Sequence, residues 1–405
     1  MSFCFDEEIP RDGTHSLKWS FRMQGPRLIY SESEQALAES EQLLPLWVAD
    51  MDFRCAPAII EAMQKRVAHG IYGYSAATPG YYSTITEWMQ RRHHWDIDPD
   101  WIVITPGVVP ALNLLVQTLL QPGEKVLVQR PVYYPFFSAV RNNGAELVSS
   151  SLLNVAGDYR MDFADLQRKT ADPAVKLAFL CNPHNPVGRV WTRQELLRFG
   201  EICHANQVRV VADEIHADLT HEGYRFTPFA SLGPDFQQHS ITCTAASKSF
   251  NLAGLTTSNI IIADSQVRER FTATLHRNGL LGANTFGLVA TEAAYTHGEP
   301  WLDAALAYIG GNAVHLRSWL AQHLPGVGMS PLQGTYLAWV DCNALPGSAE
   351  DRHRKIFEQA RVYLDDGLLF GPEGRGFERF NLACPRGTLD RALQRLVTVL
   401  QPHGD

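Results

Sequence analysis

The sequence predicts an α/β fold, with a mostly parallel seven-stranded sheet between helices and a smaller α/β domain after it. Between residues 102 and 263, short apolar runs alternate with segments of helical periodicity, the pattern of strands joined by covering helices. Beyond Pro300 the pattern changes to one long helix followed by shorter strands. Three of the apolar runs lead into a polar residue, and open α/β sheets bind their ligands at such strand ends.

Seven short apolar runs predict the strands of the larger sheet. They cover residues 102–105, 125–129, 146–150, 175–180, 208–212, 239–244 and 259–263. Helical periodicity predicts helices at residues 57–68, 108–120, 135–142 and 192–206. A proline in the first turn and Gly70 after the last residue mark the ends of the first helix. Thr192 and Glu195 have the spacing of a capping box at the start of the last.

The chain from residue 299 onwards predicts the smaller domain. It contains a long helix at 301–324, strands at 335–339 and 376–382, and helices at 350–363 and 389–400. We therefore expect a large domain over residues 51–298 and a small C-terminal domain over residues 299–405. Residues 1–50, which include a possible helix at 31–43, are expected to join the small domain.

Composition and charge favour a globular enzyme with a small-molecule substrate. The chain has 405 residues, 45% of them hydrophobic, and can bury a large core. Its net charge is −8 and it has no basic block, so we expect no nucleic-acid or membrane partner. The seven cysteines are scattered without a C-x-x-C pair, which indicates reduced thiols. No signal peptide and no run of the ~18 apolar residues of a membrane span is found, so we expect a cytoplasmic protein.

Three polar side chains follow predicted strands, about 30 residues apart: Asn185, Asp213 and Lys248. An amide, a carboxylate and an amine are what pyridoxal 5′-phosphate requires of a protein. The amine forms a Schiff base with the aldehyde, the carboxylate pairs with the pyridinium nitrogen, and the amide donates to the phenolate oxygen. Alone, each is weak evidence, because Ser-Lys is usually a surface pair, Asp often caps a helix, and Asn-Pro often forms a turn.

These segments make the chain resemble the class I/II aminotransferase superfamily, the fold type I pyridoxal-phosphate enzymes. Within it the chain is similar to the bacterial cystathionine β-lyase (cysteine-S-conjugate β-lyase) branch, the MalY/PatB type. The resemblance runs from about residue 40 to the end, and it implies the aminotransferase-like fold and a homodimer with shared active sites. The narrower match rests on residues 45–53, 69–74, 180–191, 213–216 and 247–255.

The resemblance implies how the cofactor would be held. The amides of Gly107, Val108 and Val109, where a strand turns into a helix, would bind the phosphate. Tyr133 would stack on the ring, and we count it with Lys248 and Asp213 as catalytic. Tyr74 would reach the phosphate from the neighbouring subunit. The alternatives are an ordinary turn at Gly107, Tyr134 as the stacking residue in place of Tyr133, and packing roles for these tyrosines and for Tyr74.

Two positions near the lysine and the aspartate carry the finer distinctions. Many relatives have serine three residues before the lysine, but here Ala245 stands there, so Thr244 or Ser247 would have to supply the side-chain phosphate contact. His216 stands three residues after Asp213, where many aminotransferases have a tyrosine that bonds the phenolate oxygen. The alternative for His216 is a core histidine satisfied by a backbone carbonyl.

The substrate side of the site is expected at three residues. Arg379 matches the arginine that grips the substrate α-carboxylate, for which a planar guanidinium is suited. The alternative for Arg379 is a surface salt bridge. Trp47 and Ala49 lie in the segment that borders the substrate in relatives, so we expect them to line the pocket. No metal ligand is expected.

The resemblance therefore implies a C–S β-lyase that cleaves cystathionine or other S-substituted cysteines to a thiol, pyruvate and ammonia. The freed Lys248 amine would take the Cα proton as a general base. Transamination shares the same early steps, so an aminotransferase of small amino acids is the alternative, and His216 favours the lyase. A regulatory binding protein on this fold is a third, less favoured possibility, because the catalytic set is intact and no DNA-binding segment precedes it.

Overall fold

The computed structural model describes residues 3–11, 13–24, 27–30, 42–280 and 282–401. The possible helix at 31–43 therefore lies almost entirely outside the described residues. The strands are β1 (Phe21–Gln24), β2 (Arg27–Tyr30), β3 (Leu44–Pro45), β4 (Ile102–Thr105), β5 (Lys125–Arg130), β6 (Glu146–Ser151), β7 (Leu153–Val155), β8 (Asp158–Arg160), β9 (Val175–Cys181), β10 (Arg209–Asp213), β11 (Ser240–Thr244), β12 (Ser258–Ile261), β13 (Gly328–Met329), β14 (Leu337–Asp341), β15 (Val362–Tyr363), β16 (Asp365–Asp366) and β17 (Phe377–Asn381).

The helices alternate with these strands in the first two thirds of the chain and dominate its last third. They are α1 (Leu17–Ser20), α2 (Pro57–His69), α3 (Pro79–His93), α4 (Val108–Leu119), α5 (Pro135–Arg141), α6 (Phe163–Thr170), α7 (Arg193–Ala205), α8 (Pro234–Gln238), α9 (Ala246–Ser249), α10 (Ser265–Arg277), α11 (Thr285–His297), α12 (Glu299–His323), α13 (Ala349–Glu358) and α14 (Arg386–Leu400).

Seven strands form the main sheet, in the order β4-β12-β11-β10-β9-β5-β6. The pairs β11–β10, β10–β9, β9–β5 and β5–β6 are parallel, whereas β12 runs antiparallel to both of its neighbours. The mostly parallel seven-stranded sheet predicted from the sequence is confirmed. All seven predicted strands exist, with ends that differ from the prediction by no more than two residues.

Both faces of this sheet are covered, which explains why its strands are apolar at nearly every position. Along β5, Val126 and Val128 pack on one side with α4, α5 and α10, whereas Leu127 packs on the other with α6 and α7. The same alternation holds along β9, where Phe179 and Leu180 enter opposite cores. The carboxyl-terminal ends of the parallel strands are therefore fixed between two packed layers.

The smaller sheet follows α12, in the antiparallel order β13-β14-β17-β16. The N-terminal segment reaches this part of the chain, because β3 pairs in parallel with β15. The predicted helix at 350–363 is wrong at its end: α13 stops at Glu358, and Val362 and Tyr363 form β15 instead. The domain boundaries at 50/51 and 298/299 stay predictions.

Several helices were not predicted. α3 has a low apolar fraction, and only five of its residues are buried, so its helical periodicity is weak. α10 and α11 fall between the last strand of the main sheet and Pro300, a region for which no element was predicted. Among the described residues, no helix combines the length and hydropathy that crossing a membrane requires.

Candidate active site

A cavity of about 200 Å³ lies at the carboxyl-terminal ends of the central strands. This is the edge of the sheet at which the sequence predicted a ligand. The ends of β9 and β10, the turn before α4 and the α9 turn all contribute to its wall. Most of the predicted site residues line it: Ala49, Gly107, Val108, Val109, Tyr133, Asn185, Asp213, His216, Ser247 and Lys248.

The N-terminus of α4 forms one end of the cavity. Gly107 is the N-cap residue, and its φ of 140° is a conformation that residues with a side chain rarely adopt. A Cβ there would lie 3.3 Å from the Cδ of Pro110. Val108 and Val109 are the first helical residues, and the first N–H groups of a helix have no intrahelical acceptor. Together with the helix dipole, these groups make a binding site for an anion such as a phosphate.

The sequence offered Thr244 and Ser247 as sources of a side-chain contact to the phosphate, and one of the two lies away from the cavity. Ala245 is the N-cap of α9 and supplies no hydroxyl. Thr244 is buried within β11, with its Oγ1 donating to the Asn259 carbonyl at 3.5 Å, and does not line the cavity. Ser247 does line it. Residues 256–258 add three hydroxyls that the sequence analysis missed, because no motif marks them.

Asp213 ends β10 between two cysteines. Cys181 of β9 and Cys243 of β11 are its partners in register. The carboxylate accepts a hydrogen bond from the Ile215 amide at 3.2 Å. Burial raises the pKa of Asp213 to about 7, despite that bond and the positive charge of Lys248. A cation placed against this carboxylate, such as a protonated pyridine nitrogen, would restore its ionised form.

Lys248 enters the cavity from the short α9 turn. Its Nζ donates to the Ala49 carbonyl at 2.6 Å. Desolvation lowers the pKa of Lys248 to about 8; Asp50 and Asp213 oppose the shift, and Arg379 adds to it. An amine of this pKa is partly neutral near physiological pH, so it can act as a nucleophile or a base.

Arg379 lies in the middle of β17 and is buried, so a surface salt bridge is excluded as its role. Its Nη1 donates to Asn185 Oδ1 at 2.9 Å, and its Nη2 donates to the Trp47 carbonyl at 2.9 Å. Nη2 also pairs with the buried Asp365 carboxylate. Because the oxygen of the Asn185 amide faces Arg379, its nitrogen remains a donor for a group in the cavity.

Tyr133 and His216 complete the inner wall. The Tyr133 amide donates to the Asn185 carbonyl at 3.0 Å, which ties the two residues together. His216 is buried, and within the described part of the chain its Nδ1 has no hydrogen-bond partner, unlike a core histidine whose Nδ1 bonds a carbonyl. Burial, with Lys248 and Arg379 nearby, lowers the pKa of His216 well below its usual range, so the ring is neutral.

Three predicted residues, Arg379, Tyr74 and Trp47, do not line the cavity. Tyr74, in the segment between α2 and α3, is fully exposed. Trp47 is buried with its ring stacked on Tyr363, at a centroid distance of 4.4 Å and an interplanar angle of 14°. It reaches the site through its carbonyl, which accepts from Arg379.

The carbonyls of residues 47–53 are held by side chains from three other segments. Asn381 donates to those of residues 48 and 50, and Asn251 donates to those of residues 51 and 53. The Ala49 carbonyl accepts from Lys248 and, at 2.8 Å, from the hydroxyl of Tyr336. Sequence analysis missed Tyr336, which follows no recognisable motif, and it assigned no role to Asn251 or Asn381.

A buried carboxylate also fixes the lysine turn from behind. Asp218 accepts from Ser249 Oγ at 2.7 Å, and Ser249 is the neighbour of Lys248. Its other oxygen bonds His93 Nε2 at 2.7 Å and Trp88 Nε1 at 3.0 Å, both on α3. Sequence analysis missed this network because its members are far apart in the chain.

The residues around the cavity fit pyridoxal 5′-phosphate. One end offers backbone amides and hydroxyls for a phosphate. The other offers the buried Asp213 carboxylate, which has no cationic partner at hydrogen-bond distance among the residues that the structure describes. Between them lie the Lys248 amine, the free amide nitrogen of Asn185 and the neutral His216 ring with its unpaired Nδ1. This donor set matches an aldehyde, a pyridine nitrogen and a phenolate oxygen on one ring.

Comparison with known proteins gives the same assignment. The family model described as aminotransferase class I and II matches residues 41–396. Cystathionine beta-lyase PatB of Bacillus subtilis is 43% identical over 98% of this chain and 99% of its own, and protein MalY of Escherichia coli is 32% identical over the same shares. The crystal structure of cystalysin from Treponema denticola, which contains pyridoxal 5′-phosphate, superposes with a TM-score of 0.92 at 35% identity, covering 98% of this chain and 99% of that one.

Proposed function

Because the chain belongs to the aminotransferase class I and II family, and its cofactor is pyridoxal 5′-phosphate, we propose that it is a C–S β-lyase. It cleaves cystathionine or other S-substituted cysteines to a thiol, pyruvate and ammonia. The observation that carries this proposal is the convergence of Lys248, Asp213, Asn185 and His216 on one cavity, beside Arg379. The relatives named above support the lyase over other members of the family.

When bound, the cofactor supplies an aldehyde that condenses with amines and a ring that accepts the electron pair left at Cα. Lys248 then takes the Cα proton on Nζ, because desolvation keeps a useful fraction of this amine neutral. Asp213 holds the ring nitrogen in its protonated form through its carboxylate. His216 and Asn185 donate to the phenolate oxygen, and Tyr133 packs on the ring face.

Arg379 binds the substrate α-carboxylate. Its guanidinium is held by Asn185, Asp365 and the Trp47 carbonyl, and its buried Nε has no partner among the described residues. A substrate carboxylate can bond Nε with one oxygen and replace the Trp47 carbonyl at the adjacent Nη2 with the other, which is the bidentate geometry that arginine favours. The substrate is thereby oriented with its Cα toward Lys248.

The phosphate is held by the amides of residues 107–109 and by Ser247. Tyr74 supports the homodimer, because it is fully exposed in the segment between α2 and α3 and is therefore free to contribute to the site of a second subunit. The enzyme works in the cytoplasm, as its reduced cysteines suggest.

The test is to incubate the purified holoenzyme with cystathionine and no keto acid, and to measure pyruvate with lactate dehydrogenase and thiol with a disulfide reagent. The lyase releases both in equal amounts. If it were an aminotransferase, product would form only when a keto-acid acceptor is added, and this outcome would overturn the proposal. Absence of both activities across a panel of S-substituted cysteines would favour a regulatory binding protein.

A further inference from the structure

The Ala49 carbonyl accepts hydrogen bonds from two side chains that no sequence motif connects. Lys248 Nζ lies 2.6 Å from this oxygen and the Tyr336 hydroxyl lies 2.8 Å from it, and both donate. A carbonyl oxygen has two lone pairs, so these donors fill its acceptor capacity. Any change in one hydrogen bond therefore alters the acceptor that remains for the other.

Tyr336 is the rigid member of this pair. Its side chain is almost completely buried, and its ring packs against His216 at a centroid distance of 6.0 Å. Its backbone carbonyl accepts from the Leu382 amide at 2.8 Å, which fixes it beside β17. Burial raises the pKa of Tyr336 well above its usual range, so the hydroxyl keeps its proton and remains a donor.

The acceptor is rigid as well. Residues 48 and 50, on either side of Ala49, have their carbonyls held by the Asn381 amide at 2.7 and 2.6 Å. The lysine side chain, with its four methylene groups, is thus the mobile partner. When the Lys248 amine is free, it can donate a hydrogen bond to the Ala49 carbonyl. The position of this carbonyl and its remaining strength as an acceptor are already set by Asn381 and Tyr336.

We propose that Tyr336 is a positioning residue for Lys248. By occupying one lone pair of the Ala49 carbonyl, its hydroxyl weakens this carbonyl as an acceptor for the free Lys248 amine. The amine therefore releases its proton more readily. An ammonium group gains more from a strong acceptor than a neutral amine does, so weakening the acceptor favours the neutral amine. The other charged or titratable groups facing Lys248 are Asp50, Asp213, Arg379, His216 and Tyr133, and they are unchanged by a substitution at residue 336. The inference rests on the proposed function in that Lys248 is the base of the reaction.

Tyr336→Phe tests this directly, because it removes the hydroxyl while Lys248 still satisfies the carbonyl. In the full-length chain freed of cofactor, competitive labelling with acetic anhydride, followed by peptide mass spectrometry, gives the pH midpoint of Lys248 reactivity. We expect this midpoint to rise by about half a unit to one unit, with labelling at pH 7 about three- to tenfold slower. In the holoenzyme the Lys248 amine is free only after substrate has bound, so the acidic limb of kcat should move in the same direction.

Tyr81→Phe is the matched control, since it removes another buried hydroxyl, one that donates to Asn259 at 2.9 Å. Its Lys248 midpoint should equal that of the wild type. If Tyr336→Phe does not fold, 3-fluorotyrosine inserted at residue 336 gives the opposite test, because a more acidic phenol is a stronger donor and should lower the midpoint. An unchanged midpoint in either variant would overturn the inference and leave the proposed function intact. A wild-type Lys248 as unreactive as a surface lysine would instead count against the proposed function.

Discussion

Replacing Asp218 by alanine should destabilise the protein strongly, although this residue does not line the cofactor cavity. The carboxylate is buried and accepts hydrogen bonds from Trp88, His93 and Ser249. Burial alone would raise the pKa of Asp218, but the hydrogen bonds and charge of its partners lower it, so the group is ionised at neutral pH. Its removal leaves three buried donors without an acceptor.

The size of the loss follows from those donors. Each buried donor left unsatisfied costs about 1–3 kcal/mol. His93 can change tautomer and the Ser249 hydroxyl can rotate, whereas the indole N–H of Trp88 has no alternative. The Trp88 donor therefore costs about 1–3 kcal/mol, and the other two groups each lose a hydrogen bond worth about 0.5–1.5 kcal/mol. We expect Asp218→Ala to lower the free energy of unfolding by about 2–6 kcal/mol, a large part of the 5–15 kcal/mol typical of a domain.

Urea denaturation of the cofactor-free protein at pH 7, followed by circular dichroism, measures this difference. Ser249→Ala is the matched control, because it removes one donor and leaves Asp218 with two, at a cost of about 1 kcal/mol. The folded-state pKa of Asp218 is lowered, so its contribution is present above the ordinary value near 4 and is lost as the pH falls through the folded-state value. Equal losses in the two variants would refute this reasoning.

Three further predictions concern the site itself. Asp213→Asn should stabilise the cofactor-free protein at pH 8 but not at pH 4. The pKa of the Asp213 carboxyl is about 7 in the folded state and 3.8 ordinarily, so the carboxyl destabilises the fold increasingly as the pH rises from 3.8 to 7. Urea midpoints at pH 4 and pH 8 check this. Arg379→Lys keeps the charge next to Asp365 but loses the bidentate grip, so KM should rise about tenfold or more with a smaller change in kcat, as steady-state kinetics would show. Co-expression of Lys248→Ala with Tyr74→Ala chains should restore about a quarter of wild-type activity. Half of the dimers contain one chain of each kind, and each of these has one of its two sites intact. No recovery of activity would contradict the shared site.

The strands of the main sheet could be predicted because two-sided burial makes them apolar at nearly every position, and such runs are visible in one sequence. Lys248, Asp213 and Asn185 could be predicted for a related reason, since each is a polar residue at the point where such a run stops. α3 could not, because much of its surface is polar and its buried residues do not form a clear stripe. The end of α13 was misjudged because β15 is only two residues long and depends on its pairing with β3.

The supporting residues of the site could not be predicted because their partners are distant in the sequence. Tyr336 is linked to Lys248 through the carbonyl of Ala49, which lies 287 residues away from Tyr336 in the sequence. Asp218 lies two residues from His216, yet its partners come from α3 and α9. Arg379 was predicted as a carboxylate ligand, but its pairing with the buried Asp365 depends on the register of β16 against β17.

The most direct test of the central claim is to reduce the holoenzyme with borohydride and to locate the pyridoxyl group by peptide mass mapping. The chain has seven lysines, and Lys248 is the one that lines the cavity. The account predicts a single adduct on the peptide that contains Lys248 and none in the Lys248→Ala variant. An adduct on another lysine, or a wild-type protein that takes up no cofactor, would contradict it.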